Sequence, residues 1–352
     1  MRTETRRQQN AVARVIAALP KRGLLLARSA LSFPIIFGVL GIAFLISISV
    51  GAASIPLPEV WRLVFKPDDS TNALIVQTLR LPRAVVALLV GSSLGVSAAL
   101  LQSVTRNPLA SPGILGVNAG AALGILVGVV FLPALPSSAL VLVAFSGGIG
   151  AALLTYGVTA AVGITPMRLA LAGIAVGSLL AALTSGVQIL FEERARGALF
   201  SLAGSLAGRT WDHVALATPW VGIGLMLALT SSQLVNLVSL GDDAAQGLGV
   251  NVNVARLWLA GLAVLLASAA TSVAGPIGFL GLMSPHLARG LVGADYRLVV
   301  PMSALIGSSI LLLADVGARV VDAPLETPVG ILITAIGAPF FVLLARKLRR
   351  TH

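Results

Sequence analysis

Residues 78–124 read TLRLPRAVVALLVGSSLGVSAALLQSVTRNPLASPGILGVNAGAALG, and this stretch decides the fold. It opens on a basic turn, Arg80-Leu81-Pro82-Arg83, and runs through an apolar segment to Val104. It breaks at Arg106-Asn107-Pro108 and becomes apolar again through Pro112-Gly113. Proline and clustered polar residues punctuate helices, because the residue before a proline is pushed out of the helical region. An apolar run near twenty residues matches the ~30 Å hydrocarbon core of a bilayer. The stretch therefore reads as two membrane helices with both of their junctions.

The same pattern extends along all 352 residues. Hydrophobic residues make up 57% and charged residues 11%, where soluble domains carry about 25% charged residues; the mean hydropathy is +0.98. Ten segments are long and apolar enough to be read as spans: 33–53, 81–104, 113–131, 138–162, 168–190, 214–235, 255–274, 278–291, 301–320 and 329–344. The expectation is an all-α polytopic membrane protein of about ten transmembrane helices, with no room for a soluble domain. Residues 56–78, polar and proline-containing, read as an external loop.

Charge orients the chain. Residues 1–32 carry seven Lys and Arg against the single acid Glu4 and read as a cytoplasmic basic leader. The small residues Ala52-Ala53-Ser54 after the first apolar run imitate a signal-peptide cleavage site. That run has the length of a span and its basic preface is too long, so it reads as an uncleaved first helix. With ten spans, the leader, the loops at Arg106, Arg168, Arg256, Arg289 and Arg297, and the C-terminal tail fall on one side. Only eight of the 24 basic residues remain for the other side. This is the bias expected of a protein with both termini in the cytoplasm.

The net charge of +11 does not point to nucleic acid, since the basic residues flank apolar segments without any aromatic-basic platform. Cysteine is absent, and His213, His286 and His352 are far apart in sequence. Disulfides and thiolate metal sites are excluded, no metal site is expected, and no catalytic constellation stands out. None of the three lysines lies in a G-x-x-x-x-G-K frame, so uphill transport would draw on ATP hydrolysed by another chain or on an ion gradient. Asp315 and Arg319, four residues apart, share a helix face and read as a structural pair, and His286 reads as a packing residue. Gly116, Gly120, Gly124 and Gly128 make a smooth stripe suited to close helix packing. The segment 239–251 reads as a short helix with Gly241 before it, Asp242 and Asp243 at its N-terminal dipole and Gly247 or Gly249 closing it.

Four separated motifs occur in order: the run LRLPR…LLQ…RNPLA.PG.LGV..GA in the opening stretch, AGPIGFLGLMSPHLARGLVG at 274–293, LLLADVGAR at 311–319, and ETPVGILITAIGAPFF at 326–341. Together they closely resemble the permease family of bacterial ABC importers for iron-siderophores, haem and cobalamin, the FecCD-type and cobalamin-permease-like proteins. Only the first thirty or so residues fall outside the resemblance. It implies a type II ABC importer permease fold with a leader at 1–32, a transmembrane permease domain at 33–348, and a coupling segment at about 240–251. It implies no cofactor on this chain, with ATP and Mg on the partner ATPase.

The implied partners are a second permease subunit in a homodimer or paralogous heterodimer, two ATPase subunits, an extracytoplasmic substrate-binding protein, and the lipid of the bacterial cytoplasmic (inner) membrane. By matched position the resemblance assigns ATPase coupling to Asp242, Asp243, Ala244, Ala245, Gln246, Gly247, Leu248, Gly249 and Val250. It assigns binding-protein docking to Arg80, Arg83 and Arg319, through carboxylates on that protein. A cytoplasmic gate falls at Asn107, Pro108 and Leu109 with Thr165 and Pro166, where Pro166-Met167 departs from the family's small hydroxyl residues. The expected cargo is a ferric siderophore, with cobalamin or haem as the alternatives. An ion-coupled secondary transporter, which would work through Asp315, and an intramembrane enzyme are the competing classes.

Overall fold

The structure, a computed structural model, describes residues 22–51, 55–161, 163, 165–323 and 325–349. Most of the leader and the Ala52-Ala53-Ser54 site lie outside the described residues. Every element among the described residues is helical. Ten helices stand at the ten apolar segments: α1 (Arg22–Ser49), α3 (Leu81–Thr105), α4 (Val117–Phe131), α5 (Ser137–Ala160), α6 (Pro166–Leu190), α7 (Trp211–Thr230), α10 (Val252–Ala274), α11 (Leu280–Val292), α12 (Tyr296–Val320) and α13 (Val329–Arg349). Between them lie α2 (Leu57–Phe65), α8 (Ser232–Ser239) and α9 (Asp242–Gly247).

Seven of the ten are long and apolar enough to cross a bilayer, and α4 and α13 contribute shorter apolar stretches. Helix α11 has 13 residues and, at ~1.5 Å per residue, reaches about 20 Å. It survives as part of a span because its Leu280, Gly281, Met283, Ser284 and Pro285 are buried in protein, where polar backbone is shielded from lipid.

Four local expectations change. Residues 56–78 are not an open loop: α2 buries Val60 and Leu63, and a turn at Thr71–Leu74 leads through a π-turn at Ile75–Arg80 straight into α3. The supposed turn at Arg80–Arg83 is thus helical, and Pro82 fits because a first-turn residue lacks an intrahelical N–H partner. Helix α1 starts at Arg22, inside the segment read as leader. The sixth apolar segment is divided at Ser231 into α7 and α8.

The core forms around α3, which packs most extensively against α12 and α10, and whose residues from Val90 to Val104 are buried without a break. Two small-residue crossings make this possible. A Cβ on Gly91 would lie 2.6 Å from Ser308 Cα, so α3 and α12 touch backbone to backbone. The glycine stripe of α4 does the same against α5: a Cβ on Gly120 would collide with the Gly147 carbonyl, and one on Gly124 would lie 2.8 Å from the Val143 oxygen. Without a hydrophobic drive between helices in lipid, such close van der Waals contact supplies much of the association energy.

Candidate functional site

The two ends of α3 carry the charged groups. At its start, Arg83 Nε donates to both carboxylate oxygens of Asp315 at 3.0 and 3.1 Å, and Nη2 donates to Asp315 Oδ1 at 2.9 Å. Its Nη1 donates to both oxygens of Glu326 at 2.9 Å. Arg319, one turn on from Asp315, pairs with the same carboxylate at 3.0 Å, and donates to the Ser47 and Val50 carbonyls at 2.9 Å each. Arg80 Nη1 donates to the Ile48 and Ser49 carbonyls at 2.9 and 2.6 Å. One network therefore ties the end of α1, the start of α3, the end of α12 and the segment before α13.

Asp315 is 0% exposed and Arg83 8%. An ion pair this deep holds only if its charges are matched and its hydrogen bonds filled, and here two guanidinia share one buried carboxylate. The Asp315–Arg319 pairing was legible from the spacing. The involvement of Arg83 and Glu326 was not, because 232 and 243 residues separate them from their partner.

Arg209 was also missed. It lies in the connection between α6 and α7, with its Nη2 3.4 Å from the Ser205 carbonyl and a buried Nε that has no partner among the described residues. Burial, with the Arg83 guanidinium nearby, pushes it down to about 10, so it stays charged at neutral pH. The three arginines read as docking residues are thus brought together at one end of the bundle. Their guanidinia point into the protein and are engaged there.

At the opposite end, α9 follows Gly241, whose φ of 117° suits glycine alone. Ala245 is buried, while Asp243, Ala244, Gln246, Gly247, Leu248 and Gly249 are exposed. Val250 N–H donates to the Ala245 carbonyl at 3.0 Å, folding the segment back on itself. Asp242 accepts from Arg106 at the end of α3 and from Arg256 at the start of α10, the latter at 2.7 Å. Arg106 reaches it from a left-handed conformation, φ 48°, that also ends α3.

Beside this lies a cavity of about 400 Å³ whose walls include Leu101, Thr105, Asn107, Ser111, Thr165 and Met167. Asn107 and Thr165 are brought onto one cavity, although they are 58 positions apart in the sequence. Asn107 Oδ1 accepts from the Leu109 N–H at 2.9 Å, shaping the loop, and Leu109 itself is half-buried. Thr165 caps α6 by accepting from the Arg168 N–H at 3.3 Å, and Pro166 is that helix's first residue. Gln102 accepts from Arg289 Nη2 at 2.6 Å, a link between α3 and α11 that no local pattern announced.

The model of the FecCD transport family matches residues 39–347. The Fe(3+)-citrate import system permease protein YfmD of Bacillus subtilis is 43% identical over 86% of this chain and 90% of its own length. The iron(3+)-hydroxamate import system permease protein FhuB of the same organism is 44% identical over 88% of this chain and 80% of its own. The Fe(3+) dicitrate transport system permease protein FecD of Escherichia coli is 39% identical over 90% and 98%. Among solved structures, a metal-chelate type ABC transporter in an inward-facing conformation superposes with a TM-score of 0.79 at 31% identity, covering 89% of this chain and 99% of that one.

Proposed function

This chain belongs to the FecCD transport family, and from that premise we propose that it is the membrane-spanning permease of an ATP-driven importer whose cargo is a ferric siderophore or a related ferric chelate. The carrying observation is that the similarity to three iron-chelate permeases extends over most of both chains. Hydrolysis belongs to a partner ATPase, since this chain carries no phosphate-binding loop.

The Asp242 end is cytoplasmic in this reading. The exposed residues of α9 and its flank, Asp243 to Gly249, dock on the ATPase, while Asp242 transmits their movement through Arg106 to α3 and through Arg256 to α10. Asn107, Leu109, Thr165 and Pro166 narrow the cytoplasmic mouth. The Arg83 end faces the binding protein. Its positive excess, with Arg209 paired to no carboxylate among the described residues, favours an acidic partner surface. Because Arg80, Arg83 and Arg319 are engaged internally, they meet that partner's carboxylates by exchanging bonds, which couples docking to the packing of α1, α3 and α12.

A second permease subunit covers α6. Only 11% of its apolar window is buried, and Ser178 and Ser185, two turns apart, are exposed on it, polar groups better suited to a pore or a partner helix than to lipid.

The test is uptake of a ferric siderophore and ATP hydrolysis in proteoliposomes holding this chain with its ATPase. The Asp242→Arg, Asp243→Arg double variant is expected to abolish stimulation of hydrolysis by the loaded binding protein. Transport by this chain alone on an imposed ion gradient would refute the proposal.

A further inference from the structure

A second cavity, of about 380 Å³, lies between α3, α5, α6 and α10. Its lining is divided along its length. At the end where α3 and α5 finish and α6 and α10 begin stand Thr105, Tyr156, Thr165, Asn253 and Arg256. Farther in, the walls are apolar, with Ile149 and Ala152 on one side and Val264 and Leu265 on the other. From Arg256 to Leu265 the α10 wall rises about 13 Å at ~1.5 Å per residue. The rim residues Leu153 and Leu257 are 65% and 51% exposed, so on the α5 and α10 side the groove opens on an exposed apolar face.

At the polar end one carboxylate serves two cations. Asp242 supplies one carboxylate to two guanidinia, those of Arg106 and Arg256. Arg256 Nε is buried and has no hydrogen-bond partner among the described residues. A partly accessible guanidinium at the head of an apolar channel matches a molecule with an anionic oxygen at one end and a hydrocarbon chain behind it. Gly261, on the groove wall, has open space where a side chain would stand, so the channel is not filled by the protein's own packing.

We propose that this groove binds an anionic phospholipid, its phosphate on Arg256 and one acyl chain along α10 between α5 and α3. The apolar length selects a lipid over a free phosphate, and the position of Arg256 beside Asp242 sets the headgroup at the interface of the leaflet on the Asp242 side. The bound phosphate meets the accessible part of the Arg256 guanidinium, whose side chain keeps 17% of its surface.

The experiment is native mass spectrometry of the purified chain equilibrated with equal amounts of phosphatidylglycerol and phosphatidylcholine. Wild type is expected to retain phosphatidylglycerol preferentially. Arg256→Gln is expected to lower that retention about fivefold, the effect of one basic residue near an anionic surface. Gly261→Leu, which fills the groove and leaves Arg256 in place, is expected to lower it similarly, whereas Gly222→Leu, into open space on α7, leaves it unchanged. Equal retention of the two lipids, or no effect of Arg256→Gln, overturns the proposal. Loss with Arg256→Gln but not with Gly261→Leu also overturns it, because attraction at the surface would then suffice. Displacement of the lipid by millimolar inorganic phosphate would mark a phosphate site and overturn it as well.

Discussion

Arg83 holds two carboxylates from distant parts of the chain, one wholly buried and one half-exposed. Truncating it leaves Asp315 with Arg319 alone and frees Glu326 to solvent. Breaking a buried pair in this way costs about 3 kcal/mol or more. Arg83→Ala is therefore expected to lower the melting temperature in detergent by several degrees. Arg83→Lys should recover only part of the loss, because an ammonium lacks the planar fork that spans both acids. Unchanged melting in Arg83→Ala would show that Arg319 satisfies Asp315 unaided. Of this network only the Asp315–Arg319 spacing was legible in the chain, since i and i+4 share a helix face whatever the fold.

At the level of elements, glycine decides which helices can touch. The four-residue repeat of glycine on α4 announced a smooth face, and the face meets α5 at Gly147. A side chain there forces the helices apart, and overpacking of this kind costs about 1–3 kcal/mol. Gly120→Val should destabilise the protein by about 2 kcal/mol, read as loss of folded yield and a lower melting temperature. Gly150→Val, on α5 with open space before it, should stay within about 0.5 kcal/mol of wild type. Equal effects of the two would remove the close crossing from the account. The α2 helix and the π-turn before α3 were misread as loop because three prolines and a run of polar residues outweighed a short apolar periodicity. Burial of Val60 and Leu63 against the bundle reversed that balance.

For the whole molecule, the two charged ends stand on opposite sides of an apolar bundle, joined by one long buried helix, α3. Arg83 lies in the first turn of α3 and Arg106 at its C-cap, while α10 and α12 carry Arg256 and Asp315. The exposed face of α6 makes a direct test of assembly, because the chain has no native cysteine. Ser185→Cys introduces the sole thiol. If α6 lies at the subunit junction, a bifunctional maleimide should link two permease subunits of a homodimer in membranes. Modification without dimer formation would place that face toward lipid or toward a subunit of different sequence.

The amino-acid order by itself determined that the chain is helical, that it is a polytopic membrane protein of about ten helices, and to which family it belongs. Each of these follows from the length of apolar runs, the punctuation between them and motifs read in series. Tertiary structure alone decided that Arg83 reaches Asp315 and Glu326, that Asp242 is shared by Arg106 and Arg256, and that Asn107 and Thr165 face one cavity. The physical reason is that apolar periodicity specifies which residues leave water, while which of the buried charges meet depends on how closely glycine-lined helices approach and on the order in which they pack.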